Sequence, residues 1–528
     1  MNLSFQKKIL YLFFIIYFFI GSYLSLTNGI SHDEYHEQQN WLINITSAKE
    51  FFLTGSYDTL IKYKDKYHGI AFQIISQPIQ YLIKDLVINY NNITELGGLL
   101  ISKHFVVFLF FSISGLFFFL IINKITRDFI ISGLSTALYL TYPYLFGHAL
   151  FNPKDIPFLS FWIICSYFSL KLVEDFYLNK NIKILHFITL AFFTAFLISI
   201  RIVGLLILIQ YLVSIVILLE ITKKNLLSLL KQNHKNFLIG LTFFALFIYI
   251  LNPIFWHNPM ELINSIKSMT KYPQNICTLT NGNCMYSLSL PSSYYFIWLF
   301  YKLPILILLG YCLFPFVETK IFKNEVVTIY YGTLTITAPL IIVIFILKDV
   351  ALYDELRHIL FIFPLIFITS LSNLFYFLKK KIFYIFSTLL IVFFILENIS
   401  LNPYQYTWLN SFAKLKDIQK NFEVDYWGIS NKNLQKKIIH YFDKENIPKS
   451  TCVYGDFYVK EFLSPKGFEC FKLYSQVDEA KIRPFIAYKS LRNVKRSDPK
   501  NCKLVWNEYY NYTFYKKKIS TATLWYCD

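Results

Sequence analysis

Two adjacent carboxylates and two imidazoles stand together in the run SHDEYHE, residues 31–37, directly after the first long apolar stretch of the chain. A carboxylate that is partly withdrawn from water gains proton affinity and can act as a general base toward a hydroxyl group. We therefore expect Asp33, with Glu34 beside it, to be catalytic. A helix N-terminus capped by Ser31 explains the same acidic residues without any chemistry. A metal site built from His32, Asp33 and His36 has suitable spacing but lacks a further ligand, so we expect no resident metal, although the sequence leaves a divalent ion open.

A second polar stretch, HALFNPKDIP at residues 148–157, lies between two apolar runs. Its Lys154 is suited to an anionic lipid phosphate, and Asp155 is suited to orienting that lysine or to binding sugar hydroxyls. An ion pair in a turn fixed by its two prolines is the structural alternative.

Arginine occurs only six times in the chain, and two of these residues lie at the ends of apolar runs. They are Arg201, within IRIVG, and Arg357, which is followed by His358 at the start of a late run. The planar guanidinium binds phosphate through two parallel hydrogen bonds, which favours a phosphate-binding role for both. Snorkelling of the side chains, or pairing of Arg357 with Asp354 or Glu355, would explain them equally well.

The elements that carry these residues are membrane helices. The chain has 528 residues, of which 55% are hydrophobic and 16% charged, and this composition excludes soluble, disordered and collagen-like classes. The net charge of +18 is concentrated in short clusters between apolar runs, which favours cytosolic loops over a nucleic-acid partner. We predict a polytopic α-helical membrane protein in a lipid bilayer with about eleven spans, at 9–26, 99–122, 129–147, 156–172, 184–200, 202–219, 237–254, 294–316, 326–347, 359–378 and 382–396.

The basic clusters orient these spans, because positive loops stay in the cytosol. With the N-terminus inside, every cluster falls on the cytosolic side, and the candidate residues fall on the outer side. The predicted domains are a transmembrane catalytic module, 1–397, with a long first outer loop, 28–98, and a soluble extracytoplasmic C-terminal domain, 398–528. The stretches at 452–455 and 502–506 predict strands and 433–442 predicts a helix, so this domain is expected to be α/β.

Six of the eight cysteines fall in predicted outer segments, which is typical of disulfides in an oxidising compartment. Cys277 and Cys284 share one outer loop and are expected to pair with each other. The pairing of the four tail cysteines is left open, at positions Cys452, Cys470, Cys502 and Cys527.

Signatures for nucleotide-driven transport, serine hydrolysis, zinc proteolysis and dinucleotide binding are absent from the sequence. The acidic pair in a long first loop, HALFNPKDIP, the Arg357-His358 pair and the soluble tail together resemble the membrane-embedded GT-C glycosyltransferases. Within these, the chain is most similar to the bacterial protein O-mannosyltransferase and aminoarabinose transferase family. Further similar pieces are YHGIAF at 67–72, NPIFW at 252–256, NPYQY at 402–406 and DYWG at 425–428.

The resemblance implies an inverting transfer of a monosaccharide from a polyprenyl-phosphate carrier to an acceptor hydroxyl of protein, lipid or glycan. It implies that Asp33 is the base and that Glu34 assists. Resemblance and position together imply that Lys154 and Arg357 bind the phosphate and that Asp155 with His148 shapes the donor site. We predict that Asn152, Arg201 and His358 complete this donor and phosphate site.

The resemblance further implies a bacterial inner membrane with the active site facing outward. Two other functions stay open at this point. A polyprenyl-linked glycan polymerase or ligase would use the same carrier chemistry, and a transporter of lipid-linked sugar would also place cations at outer helix ends, although the sequence shows no paired helix interruptions.

Overall fold

The chain folds into a bundle of apolar helices followed by a small mixed sheet. The computed structural model describes residues 3–180, 182–270, 275–456, 458–480, 482–492, 497–515 and 517–528. The helices before the tail are α1 Leu3–Leu26, α2 His32–Thr54, α3 Asp58–Ile61, α4 Ala71–Asn91, α5 Glu95–Thr126, α6 Phe129–Thr141, α7 Pro143–Ala149, α8 Asp155–Tyr177, α9 Ile184–Ile200, α10 Ile207–Thr222, α11 Leu226–Leu251, α12 Ile254–His257, α13 Glu261–Thr270, α14 Ser293–Lys302, α15 Ile305–Cys312, α16 Phe314–Ile321, α17 Glu325–Leu347, α18 Phe363–Phe377 and α19 Lys380–Leu401.

Eight helices in the described ranges are long and apolar enough to cross a membrane, and two bent pairs raise the number to ten. The pairs are α6 with α7, bent by 64°, and α14 with α15, bent by 117°. The remaining predicted run corresponds to α9, which has 17 residues. The protein is therefore an integral multi-pass membrane protein, whereas eleven crossings and an inside N-terminus stay predictions.

Two helix boundaries follow from proline and asparagine chemistry. Pro143 occupies the first turn of α7, where its missing N–H costs no hydrogen bond, and the chain bends there. Asn225 caps α11 by accepting a hydrogen bond from the backbone N–H of Leu227. As a result α11 begins well before residue 237, and part of the predicted cytosolic connection is helix.

The stretch between the first two spans is mostly helical. Residues 32–54, 58–61 and 71–91 form α2, α3 and α4. In α2 and α4 many of the buried residues are polar, and other positions of both helices are exposed. The predicted first loop, 28–98, is therefore largely helical. The start of α2 places Asp33 in its first turn.

The tail contains a five-stranded sheet in the order β4-β3-β5-β7-β6. Its strands are β3 Val453–Gly455, β4 Phe471–Leu473, β5 Phe485–Ser490, β6 Cys502–Tyr510 and β7 Ile519–Cys527, preceded by the hairpin β1 Cys277–Thr280 and β2 Asn283–Tyr286. β3 runs parallel to β4 and β5, and β7 runs antiparallel to β5 and β6. Helices α20 Ile418–Asn421, α21 Asn431–Lys444 and α22 Val459–Leu463 complete the tail, and α21 packs its apolar face on the sheet. The predicted α/β class is confirmed, and the boundary at 397 stays a prediction.

Three disulfides join the six cysteines of the predicted outer segments: Cys277–Cys284, Cys452–Cys470 and Cys502–Cys527. The expected bridge within the hairpin is confirmed, and the two tail bridges are now assigned. Cys165 and Cys312 are free, and both lie in apolar helices.

Thiol counting tests this pairing and the oxidising compartment that it requires. Of the eight cysteines, we expect two to react with a maleimide after unfolding without reductant, and all eight after reduction. The intact mass of the labelled chain gives both numbers. Eight reactive thiols in protein that was purified and unfolded without reductant would contradict the pairing.

Candidate active site

A cavity of about 430 Å³ opens where the first helical segment, the ends of several membrane helices and the tail meet. Five basic and four acidic side chains line it, so its wall is densely charged and slightly basic. The charged lining residues are Asp33, Glu37, Asp65, Asp354, Lys64, Lys154, Arg201, Arg357 and Arg492.

The cavity is centred on an ion pair between Asp33 and Arg357. Nη1 of Arg357 donates to Oδ2 of Asp33 at 2.7 Å, although the two residues are 324 positions apart. The arginine side chain is almost fully buried, whereas the aspartate side chain keeps 40% of its surface accessible. Burial acts to raise the pKa of Asp33, but the charge and hydrogen bond of Arg357, together with Lys154, lower it below its usual value. Asp33 is therefore an ionised, accessible carboxylate.

The tail fixes both members of this pair through Trp427. The guanidinium of Arg357 lies 4.6 Å from the Trp427 ring and 4.7 Å from the Tyr353 ring, which is a cation–π contact with each ring. The backbone carbonyl of Trp427 accepts a hydrogen bond from the N–H of His32 at 3.1 Å, at the start of α2. Trp427 thus contacts both the helix that carries Asp33 and the arginine that pairs with Asp33.

A strained turn precedes Arg357. Asp354 and Glu355 both have positive φ, at 54° and 66°, in the left-handed region that non-glycine residues rarely adopt. The N–H of Asp354 donates to Oγ1 of Thr278 in the disulfide-bonded hairpin, and Tyr294 donates to the carbonyl of Glu355. The turn places the Asp354 carboxylate between Arg357 and Arg492.

A buried lysine supports the same turn from behind. Nζ of Lys302 lies 2.7 Å from Oε2 of Glu355, and neither side chain is exposed. Burial raises the pKa of Glu355 to about 7, against the opposing effect of the lysine. This pair lies outside the cavity, so we assign it to support of the turn.

Two more basic residues of the cavity lining, Lys154 and Arg201, are paired with acidic residues from distant segments. Nζ of Lys154 lies 2.7 Å from Oε1 of Glu37, and Nη1 of Arg201 lies 2.5 Å from Oδ1 of Asp155. The expectation that Asp155 orients Lys154 is therefore wrong in geometry, because Asp155 contacts Arg201 instead. Both cations still line the cavity.

Five of the nine predicted site residues line the cavity: Asp33, Lys154, Arg201, Arg357 and His358. His148, Asn152 and Asp155 lie behind its wall. The Asn152 side-chain amide donates to Oδ2 of Asp155 at 2.9 Å and lies 3.0 Å from Nδ1 of His148, so these residues form one buried network. Their direct contact with a donor stays a prediction, and in the structure they hold Asp155 against Arg201.

Glu34 also lies outside the cavity. Its Oε1 accepts from the N–H of Ser31 at 2.6 Å, and its Oε2 lies 2.8 Å from Nε2 of His104. Neither Glu34 nor His104 has any exposed side-chain surface. The capping alternative therefore describes Glu34, while its neighbour Asp33 faces the cavity.

Sequence reasoning missed Glu37 and Asp65 in the first segment and Arg492 in the tail, which all line the cavity. Glu37 had a local signal, because it lies one helical turn after Asp33 and shares its face of α2. Arg492 had none, since it follows β5 and reaches Asp354 across 138 residues.

The set His32, Asp33 and His36, whose spacing in the sequence suits a metal, is not brought together in the described part of the chain. His32 lies 3.6 Å from Asp456, and Asp33 contacts Arg357. Within the described ranges, a group that shares only His36 with that set has ligand atoms close enough to hold an ion: His36, Asp65 and His68.

Two solved structures of ArnT from Cupriavidus metallidurans are similar to this chain. The structure bound to undecaprenyl phosphate has 12% identity and a TM-score of 0.45, covering 99% of this chain and 98% of its own. The apo structure has 11% identity and a TM-score of 0.46, covering 98% and 97%. No protein-family model and no curated protein matches the chain. Because both TM-scores lie below 0.5, the likeness adds no argument about the site.

Substitution of the adjacent residues Asp33 and Glu34 is expected to lower stability by very different amounts. Glu34→Ala removes one partner of a fully buried pair and should destabilise the protein by about 3 kcal/mol. Asp33→Asn keeps a hydrogen-bonding side chain in a partly open position and should cost less than about 1 kcal/mol. Thermal unfolding of both variants in detergent compares them. Equal stability of Glu34→Ala and wild type would contradict the placement of Glu34.

Proposed function

We propose that this protein is a GT-C-type inverting glycosyltransferase that moves a monosaccharide from a polyprenyl-phosphate carrier to an acceptor hydroxyl. The observation that carries the proposal is the accessible carboxylate of Asp33 in one cavity with Lys154, Arg201 and Arg357. A base for the acceptor and cations for the leaving phosphate are what such a transfer requires.

The position of the cations supports a lipid-linked phosphate. Lys154 immediately precedes α8, Arg201 lies between α9 and the span that begins at Ile202, and Arg357 begins the span that ends at Phe377. Each cation therefore lies at the end of an apolar helix, where the hydrocarbon core gives way to the interface. A phosphate bound there can leave its apolar chain in the bilayer.

The proposed reaction is a single displacement. The acceptor oxygen attacks the anomeric carbon, its proton passes to the Asp33 carboxylate, and the bond from that carbon to the phosphate oxygen breaks with its electron pair on the phosphate. Attack from the side opposite the carrier inverts the anomeric configuration. The leaving phosphate is already a stable anion, so cations stabilise it and no acid needs to protonate it.

The Asp33–Arg357 contact gives this reaction an order. While Arg357 is paired with Asp33, it lowers the pKa of the carboxylate and weakens it as a base. A carrier phosphate that binds Arg357 offsets the arginine's charge, so the proton affinity of Asp33 rises. We propose that donor binding activates the base in this way.

The disulfides support a site on the outer side of the membrane. The hairpin that holds Asp354 is closed by Cys277–Cys284, and two further disulfides stabilise the tail that supplies Trp427 and Arg492. Disulfides persist in oxidising compartments. We propose a plasma-membrane enzyme, bacterial by its sequence resemblance, whose cavity faces outward.

Release of free carrier phosphate tests the proposal. Purified protein is supplied with a panel of radiolabelled polyprenyl-phosphate monosaccharides and a membrane extract as acceptor. We expect one donor to be consumed, and Asp33→Asn to lower turnover at least about 100-fold while the protein stays folded, because the general base is lost.

The matched control is Glu508→Gln, which alters a carboxylate of the tail that is absent from the cavity lining and should turn over like wild type. Unchanged turnover in Asp33→Asn would show that the base assignment is wrong. Consumption of no monosaccharide donor by folded protein would contradict the transferase proposal itself.

A further inference from the structure

Two histidines and an aspartate meet at one wall of the cavity. His36 lies on α2, and Asp65 and His68 lie in the segment that joins α3 to α4. Nε2 of His36 is 3.2 Å from Nδ1 of His68 and 3.9 Å from Oδ2 of Asp65. The three candidate ligand atoms all lie within 4.8 Å of one another.

These separations fit ligands of a single ion. Two imidazole nitrogens that bind one tetrahedral Zn²⁺ at about 2.0–2.1 Å lie roughly 3.3 Å apart. The observed 3.2 Å between the two imidazoles agrees with that value, and the carboxylate oxygen needs only a small rotation about its side-chain bonds. Two imidazoles and one carboxylate are also the donor set that transition metals prefer over Mg²⁺ or Ca²⁺.

We propose that His36, Asp65 and His68 bind one divalent transition-metal ion, with an open coordination position that faces the cavity. All three residues line the cavity and are partly exposed to it. Three protein ligands with an open fourth position are typical of zinc sites that bind water or substrate, whereas structural sites are closed by four ligands.

Packing holds the backbone beside one of these ligands in place. Gly69 packs so closely on the end of α9 that an added Cβ would lie 2.1 Å from the carbonyl oxygen of Ser199. The backbone next to His68 is therefore fixed.

The positive charge of Lys154, which would oppose an ion at this wall, is offset by its contact with Glu37, whose Oε1 lies 2.7 Å from Nζ of the lysine.

Without a metal, the same 3.2 Å separation is a hydrogen bond between the two imidazoles. The metal site and the hydrogen bond predict different results, because only the metal site gives saturable binding of a transition metal. The test needs no sugar donor, so its outcome is independent of the proposed transferase activity.

The experiment is calorimetric titration of the full-length protein in detergent, after removal of metal by a chelator, with Zn²⁺ as the probe and Mg²⁺ in a parallel titration. We expect one Zn²⁺ per chain and no saturable Mg²⁺ binding. His36→Gln and His68→Gln should each weaken Zn²⁺ binding at least tenfold, and Asp65→Asn provides a third variant should one of these fail to fold.

The matched control is His32→Gln, which removes an imidazole from the same helix α2 that lies beside Asp456 instead. It should bind Zn²⁺ within about twofold of wild type. X-ray absorption of the zinc-loaded protein should show nitrogen and oxygen ligands with no sulfur, although the chain has two free cysteines.

Three results would overturn the proposal. Folded wild-type protein that binds no Zn²⁺ would do so, as would equal affinity in wild type, His36→Gln and His68→Gln. Loss of binding in His32→Gln with full retention in His68→Gln would assign the ion to a different group. Folding of each variant is checked by gel filtration and by its thermal midpoint without metal.

Discussion

The contact between Asp33 and Arg357 is the interaction around which the cavity is built. It joins the first turn of α2 to the start of a late membrane helix at 2.7 Å, and it leaves the carboxylate accessible while the guanidinium is buried. A buried arginine needs a partner for its charge, because an unpaired one costs several kcal/mol. Asp33 shares that role with Asp354, whose Oδ2 lies 3.4 Å from Nε of Arg357, so Arg357 keeps an anionic neighbour when another anion replaces Asp33.

The surrounding structure maintains this contact through Trp427 of the tail and through the turn that precedes Arg357. The ring of Trp427 stacks on the guanidinium while its carbonyl binds the N-terminus of α2. The left-handed residues Asp354 and Glu355 turn the chain toward Arg357, supported by the hairpin and by Lys302. Local strain of this kind persists only where neighbouring contacts fix the backbone. The tail therefore belongs to the site, and its disulfides stabilise the same arrangement.

The lengths of the apolar runs predicted the positions of the membrane helices well, because the thickness of the hydrocarbon core fixes how long a spanning helix must be. These lengths did not show that the run at 294–316 forms two helices bent by 117°, although Pro304 lies at the break.

Asp33 and Arg357 were predicted as site residues from type and position, whereas their mutual contact spans 324 positions and has no local signal. For the same reason Asp155 was matched with its neighbour Lys154 when its partner is Arg201. Glu34 and Asp33 look alike in sequence, and only tertiary burial separates them.

The affinity of the protein for free polyprenyl phosphate tests most directly whether the carrier's phosphate replaces Asp33 at Arg357. The account predicts that Asp33→Asn binds the carrier at least as tightly as wild type, because the competing carboxylate is gone. Arg357→Gln should bind at least about tenfold more weakly, because a charge-assisted hydrogen bond is lost. If Asp33→Asn weakened binding as much as Arg357→Gln does, or if Arg357→Gln bound like wild type, the exchange of partners would be contradicted.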